Sequence, residues 1–184
     1  VVNDSMVRGT TLGESIITIL SRLNPKRIII VSSAPPIMYP DCYGIDMSQL
    51  GRFIAFEAAV TLLRERGEER VLDEVEQACV EQQDWPTNRM ANCVKRIYDR
   101  FTLDEISAMV AKLVRPQNIP WQGRIDVIYQ SVDDLCRAMP GHTGDWYFTG
   151  NFPTPGGYRV LNTSYLNWRR KGEGRAYVAY SGAR

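Results

Sequence analysis

A run of β-branched residues at positions 27–32 constrains this chain more than any other feature. The segment RIIIVS shows no polar alternation, which is typical of a strand buried on both faces of a parallel sheet. Parallel neighbours in a sheet require a crossover connection, which is usually helical. The run therefore predicts an α/β fold in which other strands flank this one.

The residues before this run supply the other parts of a βαβ unit. Val1 and Val2 are β-type residues, and the stretch 3–10 is a polar turn that contains glycine. Thr11 and Glu14 have the spacing of a capping box, and apolar residues then recur at helical spacing as far as Leu23. We therefore predict a strand, a loop, a helix over 12–23 and the strand at 27–32.

The pattern of the whole chain predicts three regions. Residues 1–48 contain the βαβ unit and form the core, 49–115 is largely helical and is interpreted as a possible insertion, and 116–184 packs on the core. Helices are predicted over 49–66, 69–82 and 88–101, and a second capping box at Thr102 and Glu105 opens a fourth helix that ends near Arg115. A strand at 125–129 and a helix at 132–139 follow. From Pro140 onward we predict irregular structure with a short helix near 163–170.

Composition excludes several classes of protein. With 22 basic and 21 acidic residues the formal charge is +1, so no overall field favours nucleic acid. No apolar run approaches the ~20 residues of a membrane helix. Four separated cysteines in a chain with 44% hydrophobic residues indicate reduced thiols and a cytoplasmic protein.

Because Val1 resembles the end of a strand, we expect the chain to be part of a longer protein.

The turn after Val2 has the composition of a sugar-phosphate site. It should leave the carboxyl edge of a parallel sheet and enter a helix, the place where open α/β sheets bind ligands. A helix start offers free N–H groups to a phosphate, Gly9 permits close approach, and Thr10 and Thr11 add hydroxyl donors. Asn3 and Asp4 offer acceptors to the hydroxyls of a ribose. Composition alone is equally compatible with a polar connection that has no ligand.

The order of residues 1–11, VVNDSMVRGTT, resembles the phosphoribosyl pyrophosphate (PRPP) signature of type I phosphoribosyltransferases. Within that family, the string from Asp4 to Thr11 is similar to the version in the glutamine-dependent amidotransferases of purine synthesis. Three later segments agree in the same order: 33–36 (SAPP), 43–47 (YGIDM) and 148–154 (FTGNFPT). The resemblance implies a partial type I phosphoribosyltransferase fold, a Rossmann-like parallel sheet, with residues 1–48 as the C-terminal half of its core.

The resemblance also implies roles for individual residues. The PRPP site would comprise one contiguous set: Asn3, Asp4, Ser5, Val7, Arg8, Gly9, Thr10 and Thr11. In the family two acidic residues bind the ribose hydroxyls close to a Mg²⁺ ion, and here these positions hold Asn3 and Asp4. An amide is a poorer ligand for a hard cation than a carboxylate, so this departure weakens the metal side of the site.

The family reaction makes 5-phosphoribosylamine from PRPP and ammonia released by a glutaminase domain. No residue of this chain is assigned as catalytic, since the cysteine nucleophile would belong to that domain. We expect this piece to be inactive alone and the full protein to be a homo-oligomer, with neither nucleic-acid nor membrane partners. Some relatives hold an iron–sulfur cluster where this chain has Asp41, Gly144 and Tyr147. We therefore predict no cluster.

Alternatives remain open at this stage. A non-catalytic regulatory module could keep a PRPP loop, which Asn3 favours, and a third possibility is a phosphoribosyltransferase acting on a free base. Tyr39, Tyr43 and Asp46 are candidates for lining the site, although packing of a loop would also explain them. His142 is expected to make a loop hydrogen bond. The basic residues at 169–171 and Arg175 are interpreted as a solvated tail.

Overall fold

A computed structural model describes residues 1–9, 12–41, 47–141 and 143–172, with the side chains at 12–14 excluded. Its strands are β1 (Val2–Asn3), β2 (Arg27–Ser32) and β3 (Arg124–Tyr129). They form a parallel sheet in the order β1-β2-β3, with Val2 opposite Val31 and Ile30 opposite Val127. The α/β class and the strands predicted at 27–32 and 125–129 are confirmed.

The helices account for most of the described chain. They are a π-helical stretch (Leu12–Ile17) that continues as α1 (Thr18–Ser21), then α2 (Ile54–Glu65), α3 (Arg70–Glu81), α4 (Lys95–Tyr98), α5 (Leu103–Leu113), α6 (Val132–Ala138), α7 (Trp146–Thr149) and α8 (Pro155–Arg169). Short 3₁₀ turns lie at Leu50–Arg52 and Thr87–Arg89. Both the capping box that opens α5 and the Ser131 cap of α6 form as predicted.

Two predictions about helices are wrong. The continuous helix expected over 88–101 is broken, because Asn162 accepts from the Cys93 N–H at 3.3 Å and donates to the Ala91 carbonyl at 3.0 Å. The Asn92 side chain then accepts from the Lys95 N–H at 2.9 Å, so α4 is the only α-helix within this range. Conversely, α8 begins at Pro155 rather than near 163. Proline suits the first turn of a helix, and the burial of Leu161, Tyr165 and Leu166 outweighs the two glycines that follow it.

The prediction that β2 is buried on both faces is also wrong for the described residues. Ile28 and Ile30 point into the core, whereas Ile29 is 38% exposed. On the same uncovered face, Ile128 of β3 is 49% exposed and Val2 of β1 is 78% exposed. Within the described ranges, helices pack against only one face of the sheet. Buried and exposed residues therefore alternate along β2 and β3, because successive side chains of a strand point to opposite faces.

One hydrophobic core joins the sheet to the helical middle of the chain. Phe56 of α2 makes edge-to-face contacts with Tyr98, Tyr165 and Trp168, an arrangement that aromatic quadrupoles favour. The helices predicted for 49–115 therefore pack on the same core as the strands, while the domain boundaries themselves stay a prediction. No helix within the described ranges is long and apolar enough to cross a membrane.

Candidate functional site

The pairing of β1 with β2 fixes where the predicted loop begins. Val31 donates its N–H to the Val1 carbonyl at 2.9 Å, and Ser33 donates to the Asn3 carbonyl at 2.9 Å. Since both strands run in the same direction, Asn3 and Asp4 lie at the carboxyl edge of the sheet beside the end of β2. This is the edge at which open parallel sheets place their ligands.

Asn3 and Asp4 are arranged as hydrogen-bond acceptors. The Asn3 amide donates to the Ser5 carbonyl at 3.1 Å, which leaves its Oδ1 without a partner among the described residues. Asp4 is exposed, and its Oδ1 accepts from the Ser5 N–H at 2.8 Å. Each side chain is therefore oriented by the next turn of backbone and keeps an oxygen that can accept a hydroxyl proton.

The middle of the loop is anchored to the core. Met6 is buried, and the Val7 carbonyl accepts from the Ile54 N–H at the start of α2, at 2.9 Å. Gly9 is packed closely: a Cβ placed there would lie 2.8 Å from Ile54 Cδ1 and 3.2 Å from Val114 Cγ1. The sequence suggested glycine for close approach of a phosphate, and the structure adds a packing reason for the same residue.

The remaining predicted contacts are only partly described. Arg8 is exposed and Ser5 half-buried, so both are accessible at the turn. Thr10 and Thr11 lie outside the described residues, as does the capping box of Thr11 with Glu14. The helix that the loop enters begins by Leu12, in agreement with the prediction of a helix after the loop.

An open cavity of about 840 Å³ borders this loop. The loop and α1 contribute Arg8, Gly9 and Thr18, and the 3₁₀ turn before α2 and the start of α2 contribute Arg52 and Glu57 among others. The end of α5 and the turn after it form the remaining wall, over 113–119. Volumes of this size are typical of small-ligand sites. The helical middle thus forms part of the cavity wall, and neither Arg52 nor Arg115 was a sequence candidate.

Of the aromatic candidates, Tyr39 is described and does not line the cavity. It is buried to 2% exposure and meets Tyr98 edge to face, with ring centroids 5.3 Å apart. Burial, followed by the charge of Asp99, raises the pKa of its hydroxyl. Tyr39 is therefore a core residue, as the packing alternative proposed. Tyr43, Asp46 and His142 lie outside the described residues.

The interpretation of the basic residues as a solvated tail is wrong for Arg169. Its guanidinium is bound by two carboxylates of α3, Asp73 and Glu76, with 2.7 Å between Arg169 Nε and Glu76 Oε2. The hydrogen bond to Glu76 raises the pKa of Arg169. Arg170 and Lys171 are exposed, and Arg175 lies outside the described residues.

The residues present can be compared with the needs of Mg²⁺. In the parts of the chain that are described, no three acidic, histidine or cysteine side chains are grouped closely enough to hold a metal ion. Mg²⁺, however, is commonly bound by one or two carboxylates together with the phosphates of a substrate. The exposed carboxylate of Asp4 and the free Oδ1 of Asn3 fit that weaker arrangement. Mg²⁺ binding and the lack of an iron–sulfur cluster both stay predictions from the sequence.

The fold and the loop together point to a class of α/β protein. A polar loop at the carboxyl edge of a parallel sheet, leading into a helix, is characteristic of α/β proteins that bind phosphate-bearing ligands. Comparison with known proteins then gives a particular resemblance: the chain is similar to amidophosphoribosyltransferases. It is 46% identical over 55 residues to the enzyme of Pasteurella multocida (strain Pm70), which covers 30% of this chain and 11% of that protein.

Further relatives carry the same name. The chain is 46% identical over 55 residues to the amidophosphoribosyltransferase of Haemophilus influenzae, again 30% of this chain and 11% of the relative. It is 41% identical over 64 residues to that of Escherichia coli (strain K12), which covers 35% of this chain and 12% of the relative. The resemblance inferred from the sequence is confirmed over this segment, which spans only about a ninth of the relatives' length. The chain matches no protein-family profile, and no solved structure matches it.

Proposed function

We propose that this chain is part of an amidophosphoribosyltransferase and contributes the loop that binds the ribose 5-phosphate end of PRPP. The observation that carries the proposal is the position of the loop: residues 4–9 follow a strand of a parallel sheet and precede a helix, and Arg8 and Gly9 at the end of the loop border an open cavity. The local identity to amidophosphoribosyltransferases supports the same assignment.

In this proposal the loop acts by positioning its ligand. Backbone N–H groups from Val7 to Thr11 hold the phosphate, while Asn3 and Asp4 accept hydrogen bonds from the ribose hydroxyls. Holding the sugar at both ends fixes its anomeric carbon for displacement of pyrophosphate by ammonia, and orientation of this kind can supply much of a rate enhancement. Asp4, together with Asn3, would hold the Mg²⁺ that PRPP carries, and this ion would supply charge neutralisation for the leaving pyrophosphate.

The proposal extends to the context of the chain. The ammonia would come from a glutaminase domain of the same protein, which would work in the cytoplasm as a homo-oligomer on the route to purines. The regulatory alternative keeps the loop without the reaction, and it is favoured by one observation: Asn3 stands where the family has an acidic residue. An assay of the full protein distinguishes the two alternatives. The enzyme should release pyrophosphate from PRPP when ammonia is supplied, whereas a regulatory module should bind PRPP without releasing pyrophosphate.

Replacement of Asp4 tests the site. Asp4→Ala should weaken binding of ribose 5-phosphate to the chain at least about tenfold, because hydrogen bonds to a charged acceptor contribute ~1.5–3 kcal/mol. Isothermal titration calorimetry measures the dissociation constant. Asp133→Ala, which removes an exposed carboxylate on α6, is the matched control. Equal affinity of the Asp4 and Asp133 variants would refute the assignment of the loop.

A further inference from the structure

Two buried cysteines are neighbours in the helical middle of the chain. Cys79 lies in the last turn of α3 and Cys93 lies two residues before α4, and they are 1% and 2% exposed. Their thiols form a hydrogen-bonded pair, and neither is part of a disulfide. The proposed PRPP site uses neither of them, so the pair has no role in the proposed function.

Side chains from two helices fix Cys93 beside Cys79. Gln82, at the end of α3, donates its amide to Cys93 Sγ at 3.0 Å. Residues three apart on a helix lie on the same face, so Cys79 and Gln82 approach Cys93 from the same side. Asn162 of α8 accepts from the Cys93 N–H at 3.3 Å and lines a small cavity together with Cys79 and Gln82. The two sulfurs are therefore held together by the packing of α3 and α8.

The two thiols differ in acidity. The hydrogen bond that Cys79 donates lowers the pKa of Cys93, and the charge of Arg96 adds to the effect against the opposing influence of burial. The same hydrogen bond, followed by burial, raises the pKa of Cys79. The thiolate is the form of cysteine that acts as a nucleophile. Cys93 is therefore the better attacking thiol, and Cys79 is placed to attack the product.

The cavity beside the pair suits only a very small oxidant. Its volume is about 10 Å³, which is close to the space that one water molecule occupies. Cys79 and Met90 line it together with Gln82. Hydrogen peroxide is only slightly larger than water, so peroxide is the class of oxidant that such a space favours over bulky disulfides.

We propose that Cys79 and Cys93 are a peroxide-sensitive pair that closes to a disulfide. The Cys93 thiolate attacks one oxygen of hydrogen peroxide, the O–O bond breaks, and a sulfenic acid forms while the departing hydroxide takes up the thiol proton as water. The Cys79 sulfur then attacks the sulfenic sulfur, the S–O bond breaks, and a second water leaves with the Cys79 proton. The two sulfurs together lose two electrons, which the peroxide gains.

Hydrogen peroxide is the probe for this pair, applied to the 184-residue chain with and without urea. After free thiols are blocked with N-ethylmaleimide, tryptic digestion without reduction should yield the peptides 71–89 and 90–95 joined, two hydrogens lighter than their sum. Dithiothreitol should separate them. Cys136, which is exposed on α6, should be oxidised without joining either peptide.

Two results with the unmodified sequence would overturn the proposal. One is oxidation of Cys136 while the peptides 71–89 and 90–95 stay separate. The other is joining of these peptides only in urea, which would mean that the folded chain does not bring the thiols together.

Cys79→Ala and Cys93→Ala test which thiol attacks the peroxide. In the Cys79 variant, dimedone should label Cys93 as a sulfenic acid, because no second thiol resolves it. In the Cys93 variant, Cys79 should stay unlabelled. Labelling of Cys79 in place of Cys93 would overturn the assignment of Cys93 as the attacking thiol.

Gln82→Glu tests the surroundings of Cys93. It keeps an oxygen for the Ala91 N–H but replaces the donor to Cys93 with a negative charge. Cross-linking at pH 7 should slow about tenfold, the effect of losing one hydrogen bond to a charged group. Gln83→Glu adds the same charge at an exposed neighbouring position and should leave the rate unchanged. Equal slowing in the two variants would be a nonspecific charge effect and would overturn the activation of Cys93 by its neighbours.

Discussion

At the scale of single residues, Gly9 shows how one position can satisfy two requirements. The sequence associates this glycine with a bound phosphate, and the structure places it against the side chains of Ile54 and Val114. Its substitution would therefore disturb packing even in a chain without ligand. Loss of binding in a Gly9 variant has meaning only if stability is measured as well.

Gly9→Ala is expected to lower the free energy of unfolding by about 1–3 kcal/mol, the usual cost of overpacking a core. The added Cβ would lie 2.8 Å from Ile54 Cδ1, so Ile54→Val, which removes that atom, should restore part of the loss in the double variant. Urea denaturation measures both changes. Gly156→Ala is the control, since a Cβ there meets nothing within 4 Å; comparable destabilisation by the two substitutions would contradict the packing argument.

At the scale of elements, α5 shows a helix start that local sequence alone specifies. The Thr102 hydroxyl accepts from the Glu105 N–H at 3.2 Å, and the Glu105 carboxylate accepts from the Thr102 N–H at 2.8 Å. The bond from the Thr102 N–H, together with one that the Thr102 hydroxyl donates to the same carboxylate at 3.1 Å, lowers the pKa of Glu105, and Arg66 adds to the effect. Because both partners lie within one turn, the motif was visible in the sequence.

The lowered pKa of Glu105 predicts a dependence of stability on pH. A carboxyl group whose pKa is lower in the folded state stabilises the fold above its unfolded pKa, near 4.3. That contribution is lost as the pH falls through the folded pKa. Glu105→Gln should therefore reduce stability at pH 7 and flatten its decline between about pH 5 and pH 3, as followed by urea denaturation at each pH.

Glu74→Gln removes the same charge from the exposed pair with Arg70 on α3 and provides the control. It should leave the shape of the pH profile unchanged. An unaltered profile for Glu105→Gln would mean that the capping box does not contribute to the acid sensitivity of the fold.

At the scale of the whole molecule, α8 connects the parts of the helical middle. Ser164 accepts from the Leu50 N–H at 3.1 Å and donates to the Ser48 carbonyl at 2.9 Å. Tyr165 donates to the Leu72 carbonyl of α3 at 2.7 Å while fully buried. These bonds join segments far apart in the chain, including the turn that carries Arg52. The cavity wall therefore depends on a helix that does not line the cavity.

Tyr165→Phe should lower the free energy of unfolding by about 1 kcal/mol, because it removes one buried hydrogen bond and keeps the ring in place. Thermal or urea unfolding measures the change. Tyr158→Phe on the same helix is the control, since its hydroxyl has no partner among the described residues and its ring packs on Phe152. Equal stability of the Tyr165 and Tyr158 variants would show that the tie between α8 and α3 contributes nothing.

Local patterns in the sequence determined the α/β class, two of the strands, both described helix caps and the placement of Asn3 and Asp4 at a strand end. Each depends on residues close together in the chain, through side-chain periodicity or hydrogen bonds within a turn. The order of residues in the loop also carried the family resemblance, which the comparisons confirm over a segment of the chain.

Tertiary structure decided the rest. The helix expected over 88–101 is interrupted because Asn162, about seventy residues later, takes two of its backbone hydrogen-bonding groups. Helix α8 forms through burial in spite of its glycines, and the uncovered face of β2 follows from where the helices pack. Arg52 and Arg115 meet at one cavity only once α2 and α5 are packed together. Contacts between residues distant in the chain leave no periodic signal, so no local pattern could have indicated them.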